Sequence, residues 1–206
     1  MPSEASRPAE RVRRDRLVLL LIVVIALACA WVAFAYVDQA VVDAEKQWVT
    51  HPAWQAALTV GMWLGNWQLA PVVIVLLLYA ARRRWKRLLG TMVFAYLLST
   101  GVVELLKFAV GRPRPRVVPD ATVFGGFGGG SSLPSGHASF ALMMAVIVAA
   151  WFPRWRWPAV IVAAFVAASR VLVHAHFVSD AIIGALIGAL AATVVLRIWP
   201  PITKET

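Results

Sequence analysis

Residues 88–116, LLGTMVFAYLLSTGVVELLKFAVGRPRPR, decide how this chain is read. From Leu88 to Val110 the run carries only Glu104 and Lys107 as ionisable groups, and about 20 apolar residues are enough to cross a hydrocarbon layer as helix. It then breaks at Gly111-Arg112-Pro113-Arg114-Pro115-Arg116. Proline lacks an N–H and pushes the residue before it out of the helical region, so no helix continues there. The stretch is a membrane span with a stiff, cation-rich exit.

Working outward, six apolar segments appear: Leu17–Val37, Val60–Ala81, Leu88–Val110, Ala138–Phe152, Pro158–Val173 and Val178–Trp199. The fourth and fifth are short and are completed by flanking residues or a thin local bilayer. The expected fold is all-α: a polytopic membrane protein whose residues 17–199 form a six-transmembrane-helix bundle. Basic residues 1–16 and residues 200–206 are its tails. Composition agrees, since 61% of the 206 residues are hydrophobic and 15% are charged, well away from a soluble domain. A net charge of +10 raises nucleic acid as a partner, but the cations sit in short clusters between apolar runs and not along one reading face. No nucleic-acid partner is expected. Cys29, the single cysteine, forms no intramolecular disulfide or cysteine metal cluster and reads as a small buried side chain within the first span. That span is too long for a signal-peptide core and is read as a retained anchor.

The positive-inside rule sets the orientation. Arg7 to Arg16, Arg82 to Arg87, Arg154, Arg156, Arg197 and Lys204 mark one side as cytoplasmic, with both termini on it. The opposite connections hold Lys46, Lys107, Arg112, Arg114, Arg116 and Arg170. Cations are normally scarce on the outer side, and binding an anion is the simplest reason for them. Tryptophans 48, 54, 85, 151, 155, 157 and 199 lie at span borders, where amphipathic rings sit among headgroups. The polar segment Asp38–Thr59 reads as a short helix on the outer surface, with His51 a loop histidine. Gly184 and Gly188, beside Ala181 and Ala185, let the last helix approach a neighbour closely.

Three clusters carry chemistry. Lys107 lies one turn beyond Glu104 and is expected to pair with it; with the arginines that follow, it either snorkels to lipid headgroups or binds an anion. Pro134-Ser135-Gly136-His137 opens the fourth helix, where Ser135 caps, Gly136 allows close approach and first-turn N–H groups face an anion held beside His137. Alone, a serine-glycine pair is most often only a cap. Ser169-Arg170 closes the fifth span, and His176 and Asp180, four apart, share a helix face. Asp180 can then accept from one imidazole nitrogen and leave the other as a nucleophile, or the two form an ordinary pair at a helix start. His174 reads as a satisfied polar residue. Phe124 to Ser132 is a glycine-rich run without P-loop spacing, either a cover for an acyl chain or a linker. Arg112 and Arg116 are read as contacts to a second phosphate or to headgroups.

Taken together, Lys107 with Arg114-Pro115, Pro134 to His137, and Ser169-Arg170 with His176 and Asp180 resemble the signature of the type-2 phosphatidic acid phosphatase superfamily in its membrane-bound lipid phosphatase branch. The resemblance covers Lys107 to Asp180, with His174-Ala175 as a variation. The soluble haloperoxidase branch shares the signature but not the six spans. With the orientation set by the loop cations, the active site is expected to face the periplasm, and the compact size suits a bacterial inner membrane. His176 would attack phosphorus; His137 would serve as acid and then base; Asp180 would hold the His176 tautomer. Lys107, Arg114, Ser135, Gly136 and Arg170 would bind the phosphate. No metal or other cofactor is expected, because side-chain cations would stabilise the charge. The implied substrate is a lipid phosphomonoester or diphosphate: polyprenyl diphosphate, phosphatidic acid, phosphatidylglycerol phosphate or a lipid A phosphate. The alternatives are a lipid-to-lipid phosphotransferase, and a noncatalytic protein that binds or transports lipid headgroups.

Overall fold

The N-terminal helix α1 (Ser6–Val32) does not stop where its apolar run ends. It widens through a π-helical turn, Ala33–Val37, and continues as α2 (Asp38–Trp48). This computed structural model describes residues 6–48, 56, 59–60 and 70–201. Part of the polar segment expected from Asp38 to Thr59, including His51 and Trp54, lies outside the described residues, as do residues 61–69 of the second expected span. The part that is described corrects the surface-helix reading at its start: Asp38 is buried, 1% exposed.

After α3 (Ala70–Ala81) a short 3-10 turn, Arg82–Arg84, leads into α4 (Trp85–Val110). Arg82 has φ 50°, outside the helical region, so the chain turns there. Ile74, Leu77 and Leu78 pack against the cluster that holds Leu88, Met92 and Ala95. Gly111 ends α4 in the left-handed conformation, with its N–H donating to the Lys107 carbonyl (2.9 Å). Only glycine fits: φ is +61°, and a Cβ would lie 1.7 Å from the Gly126 carbonyl oxygen. After a long loop come α5 (Gly136–Trp151), a 3-10 turn at Pro153–Trp155, α6 (Arg156–Leu172) and α7 (Val178–Ile198).

The described residues form helices and loops and no strand. Four helical runs among them are long and apolar enough to cross a membrane: Arg13–Ala44, Pro71–Val110, Pro153–Leu172 and Val178–Ile198. α5 is apolar but, at 16 residues, spans only about 24 Å. α1 exposes Leu17, Leu20, Leu21, Val24 and Ile25, an apolar face that water would not tolerate and lipid would cover; Cys29, expected to be buried, is exposed as well. The protein is an integral membrane protein of the all-helical class.

α7 is the axis of the bundle and packs on α1, α4, α5 and α6. Small residues make that possible. A Cβ on Gly184 would lie 2.2 Å from the Ser135 carbonyl oxygen, and one on Gly188 would lie 1.9 Å from that of Ser139. The close approach expected of this helix is therefore made to the start of α5. A Ser99–Ser139 hydroxyl hydrogen bond (2.6 Å) joins α4 to α5. At one end the core closes around Leu88, Met143, Ile147 and Ala192, with Trp199 stacked on Phe94. At the other end lie the two connections, 111–135 and 173–177, which together with the helix ends flanking them carry the signature residues.

Candidate active site

The end of α4 supplies the first cation. Lys107 Nζ donates to Glu104 Oε1 at 2.6 Å, the pairing expected one helical turn apart. It also points across to α5, since a Cβ on Gly136 would sit 3.7 Å from it. Ser135 caps α5 by accepting from the Ala138 N–H (3.4 Å), and its own N–H donates to the Asp180 carbonyl (3.0 Å). That bond and the Gly184 contact fix the α5 N-terminus against α7. The N–H groups of Ala175 and His176 both donate to the Arg170 carbonyl, at 3.1 Å each, so the 173–177 turn folds back on α6 and sets His176 beside Arg170. The charges of Arg114, His137 and Lys107 reach His176, and those of Arg170, Arg114 and Lys107 reach His137. All eight expected site residues therefore gather at one end of the bundle.

Geometry corrects one relationship among them. The hydrogen bond expected between His176 and Asp180 is not made: Nδ1 lies 3.9 Å from Asp180 Oδ2. Nδ1 instead donates to the Ser132 carbonyl oxygen at 2.7 Å. A carbonyl only accepts, so Nδ1 carries the proton and Nε2 keeps the lone pair. Burial pushes the His176 pKa down to about 3. The Ser132 carbonyl opposes that shift, and the charges of Arg114, His137 and Lys107 add to it. The ring is neutral at ordinary pH. Burial, and then the charge of Arg116, lower the Arg114 pKa, but a guanidinium remains charged.

Arg112 is the second correction. It was expected to reach a second phosphate or headgroups; it is 1% exposed, and both of its terminal nitrogens are engaged inside the protein. Nη1 donates to Asp180 Oδ1 (2.6 Å) and Ser179 Oγ (2.8 Å), and Nη2 donates to Asp38 Oδ2 (2.9 Å) and the Ala121 carbonyl (2.7 Å). Its guanidinium lies 3.9 Å from the Phe177 ring centroid. A charge this deep is tolerated because two carboxylates and two further oxygens surround it. Arg116, by contrast, is exposed, and its N–H donates to the His174 carbonyl.

Sequence reasoning missed Ser132 and Asp38. Ser132 stood inside the glycine-rich run, where nothing marks one serine over the next. Asp38 did carry a signal, because an ionisable group at the end of an apolar run invites a functional reading.

The arrangement presents a neutral, tautomerically fixed imidazole to a zone of positive potential built from Lys107, Arg114, Arg170 and a helix N-terminus. That is a site for an oxyanion next to a nucleophile. Residues 88–204 match the PAP2 superfamily, more than half of the chain, and the chain belongs to that family. It is 35% identical over 122 residues to the lipid A 1-phosphatase of Rhizobium etli, covering 54% of this chain and 53% of that protein. It is likewise 35% identical over 123 residues to the lipid A 1-phosphatase of Rhizobium johnstonii, covering 55% and 50%. The chain thus matches about half the length of these relatives. Among solved structures, the fold is similar to the transmembrane PAP2-type phosphatidylglycerolphosphate phosphatase of Bacillus subtilis (TM-score 0.62, 21% identity, 92% of this chain and 98% of that one). It is also similar to Aquifex aeolicus LpxE (TM-score 0.57, 22% identity, 71% and 87%).

Proposed function

We propose that this protein is a membrane lipid phosphatase that hydrolyses a lipid phosphomonoester or diphosphate through a phosphohistidine on His176. The observation that carries the reading is the His176 ring: Nδ1 is pinned to the Ser132 carbonyl at 2.7 Å, which leaves Nε2 as the nucleophile among three cations. Nε2 attacks phosphorus, the bond from phosphorus to the lipid oxygen breaks, and His137 gives that oxygen a proton. His137 then takes a proton from water, whose oxygen attacks the phosphohistidine and releases inorganic phosphate and free His176. Lys107, Arg114, Arg170 and the Ser135-Gly136 turn hold the equatorial oxygens, whose charge is shared in the transition state. Asp180, 3.9 Å from Nδ1, supports the positive charge that the ring gains on attack.

Six crossings follow if Pro71–Val110 folds back at Arg82 into two and the short α5 crosses a locally thinned bilayer. The arginines at 82–84, 154, 156 and 197 then lie in the cytoplasm, and the site opens on the outer face of a bacterial inner membrane. Among candidate substrates, lipid A phosphates are to be tried first, since two relatives are named for that activity. The test is release of inorganic phosphate by purified protein in detergent with a chelator, across lipid A, glycerolipid and polyprenyl phosphates. His176→Ala should lower turnover by on the order of 10³-fold or more; full activity in that variant rejects the mechanism. Label appearing on an acceptor lipid in place of free phosphate would identify a phosphotransferase. Headgroup binding with neither product would identify a binding protein.

A further inference from the structure

Ser132 is held at every polar group it has. Its N–H donates to the Arg112 carbonyl (2.8 Å), its hydroxyl donates to Asp180 Oδ2, and its carbonyl takes the proton of His176 Nδ1. The two groups that fix Ser132 are themselves fixed from a distant part of the chain. Asp180 Oδ1 is paired with Arg112, and Arg112 is paired through Nη2 with Asp38, which stands where the π-helical turn of the first helix ends. Asp38 also accepts from the Ser179 N–H (2.9 Å) and from the Ser179 hydroxyl. Gln39 Oε1 accepts from the Ala121 N–H at 3.1 Å, and Val42, Ala121 and Phe177 form a small buried cluster over the same junction. Asp38 is bonded to Arg112 and Ser179, neither of them a signature residue, so phosphate binding alone does not account for this network.

We propose that Asp38 and Arg112 are positioning residues for His176, acting through Asp180 and Ser132, so that the end of the first helix sets the aim of the nucleophile. The Ser132 hydroxyl donates to Asp180 Oδ2 while Arg112 holds Oδ1 of the same carboxyl group, and this keeps the Ser132 carbonyl turned to the ring. Buried polar networks of this kind are rigid while every member is satisfied and fail together when one is lost. The proposal rests on the reading of His176 as nucleophile, but its structural half, the locking of one imidazole tautomer, is measurable without substrate.

Ser132→Ala is the first variant, because it removes the hydroxyl while leaving every buried charge paired; Asp38→Asn is the second. With histidine 15N-labelled and His176 assigned by loss of its signal in His176→Ala, the wild-type ring should show the Nδ1–H tautomer alone, and both variants a mixture. Per folded molecule, kcat should fall by on the order of ten- to hundredfold. KM should change little, because Lys107, Arg114 and Arg170 are untouched. The double variant should lose no more than the worse single one. A ring that stays locked in both variants, undiminished kcat, or additive losses would overturn the proposal. Wild-type protein that locks the ring yet hydrolyses no lipid phosphate would leave the positioning network standing and remove the phosphatase reading.

Discussion

The two ends of this bundle use the same side chain for opposite purposes. At one end Arg82, Arg83, Arg84, Arg154, Arg156 and Arg197 are exposed, with Arg156 lying over the Trp157 ring. At the other end Arg114 and Arg170 are half-buried and Arg112 is fully buried. Exposed arginines act through charge alone, so position along the chain matters and geometry hardly does. Buried ones act through the directions of their N–H groups, which only one arrangement satisfies. Composition counts both kinds alike; the structure separates them.

On the proposed mechanism, Arg114→Ala should cut kcat by roughly 10²–10³, the largest effect among the arginines, because it would remove transition-state charge stabilisation at the phosphate. Phosphate release in detergent reads it directly. If Arg114→Ala and Arg154→Ala behave alike, the contrast between the ends is wrong.

Arg112→Lys sharpens the contrast differently. A single ammonium cannot meet Asp180, Ser179, Asp38 and the Ala121 carbonyl at once, so carboxylates are left short of partners. The expected cost is about 3 kcal/mol of stability, seen as a large drop in thermal midpoint. The same change at Arg83 should stay within about 0.5 kcal/mol.

How far the sequence alone could reach follows from this difference. Long-period apolar runs specify helices directly, and the six segments located α4 to α7 to within a few residues, while α1 already begins at Ser6, well before the apolar run. The motifs named eight residues that do meet at one end. The helix-face argument brought Asp180 near His176, but spacing cannot say which of two nearby acceptors a ring nitrogen chooses. The Ser132 carbonyl is a backbone group delivered by a loop, and backbone acceptors leave no mark in residue type. Arg112 was misread for a related reason. Its partner Asp38 lies 74 positions away, and only the packing of α1 on α7 brings the two together. The π-helical turn that carries Asp38 inward has no sequence signature among the residues Ala33–Val37.

Gly184→Ala addresses the backbone side of the site. Its Cβ would press on the Ser135 carbonyl at 2.2 Å, a backbone atom that cannot swing away, so either α7 or the α5 N-terminus must move. Overpacking of this kind costs about 1–3 kcal/mol, and displacement of the Ser135-Gly136 turn should weaken phosphate affinity as well. Ala185→Gly, one residue on, removes a methyl without crowding that carbonyl and should leave KM unchanged. If Gly184→Ala raises neither KM nor the unfolding rate, the turn is not held by this contact.

The smallest expected effect on activity comes from pH, and its sign is fixed by burial. His176 titrates near 3 in the folded protein and near 6.5 when unfolded. Its contribution to stability is therefore fully present above about pH 6.5 and declines as pH falls toward 3, because the unfolded chain takes up the proton first. Over that window the folded protein keeps the ring neutral, as the proposed nucleophile has to be. The acid limb of kcat should then contain no ionisation of His176 between about pH 5 and pH 8, while the thermal midpoint falls on acidification. Replacing Arg114 by Gln lowers the nearby positive charge, which should raise the ring's pKa and shrink the loss of stability at low pH. A variant in which the midpoint becomes more sensitive to acid would show that the cations at this end do not act on the ring as the geometry requires.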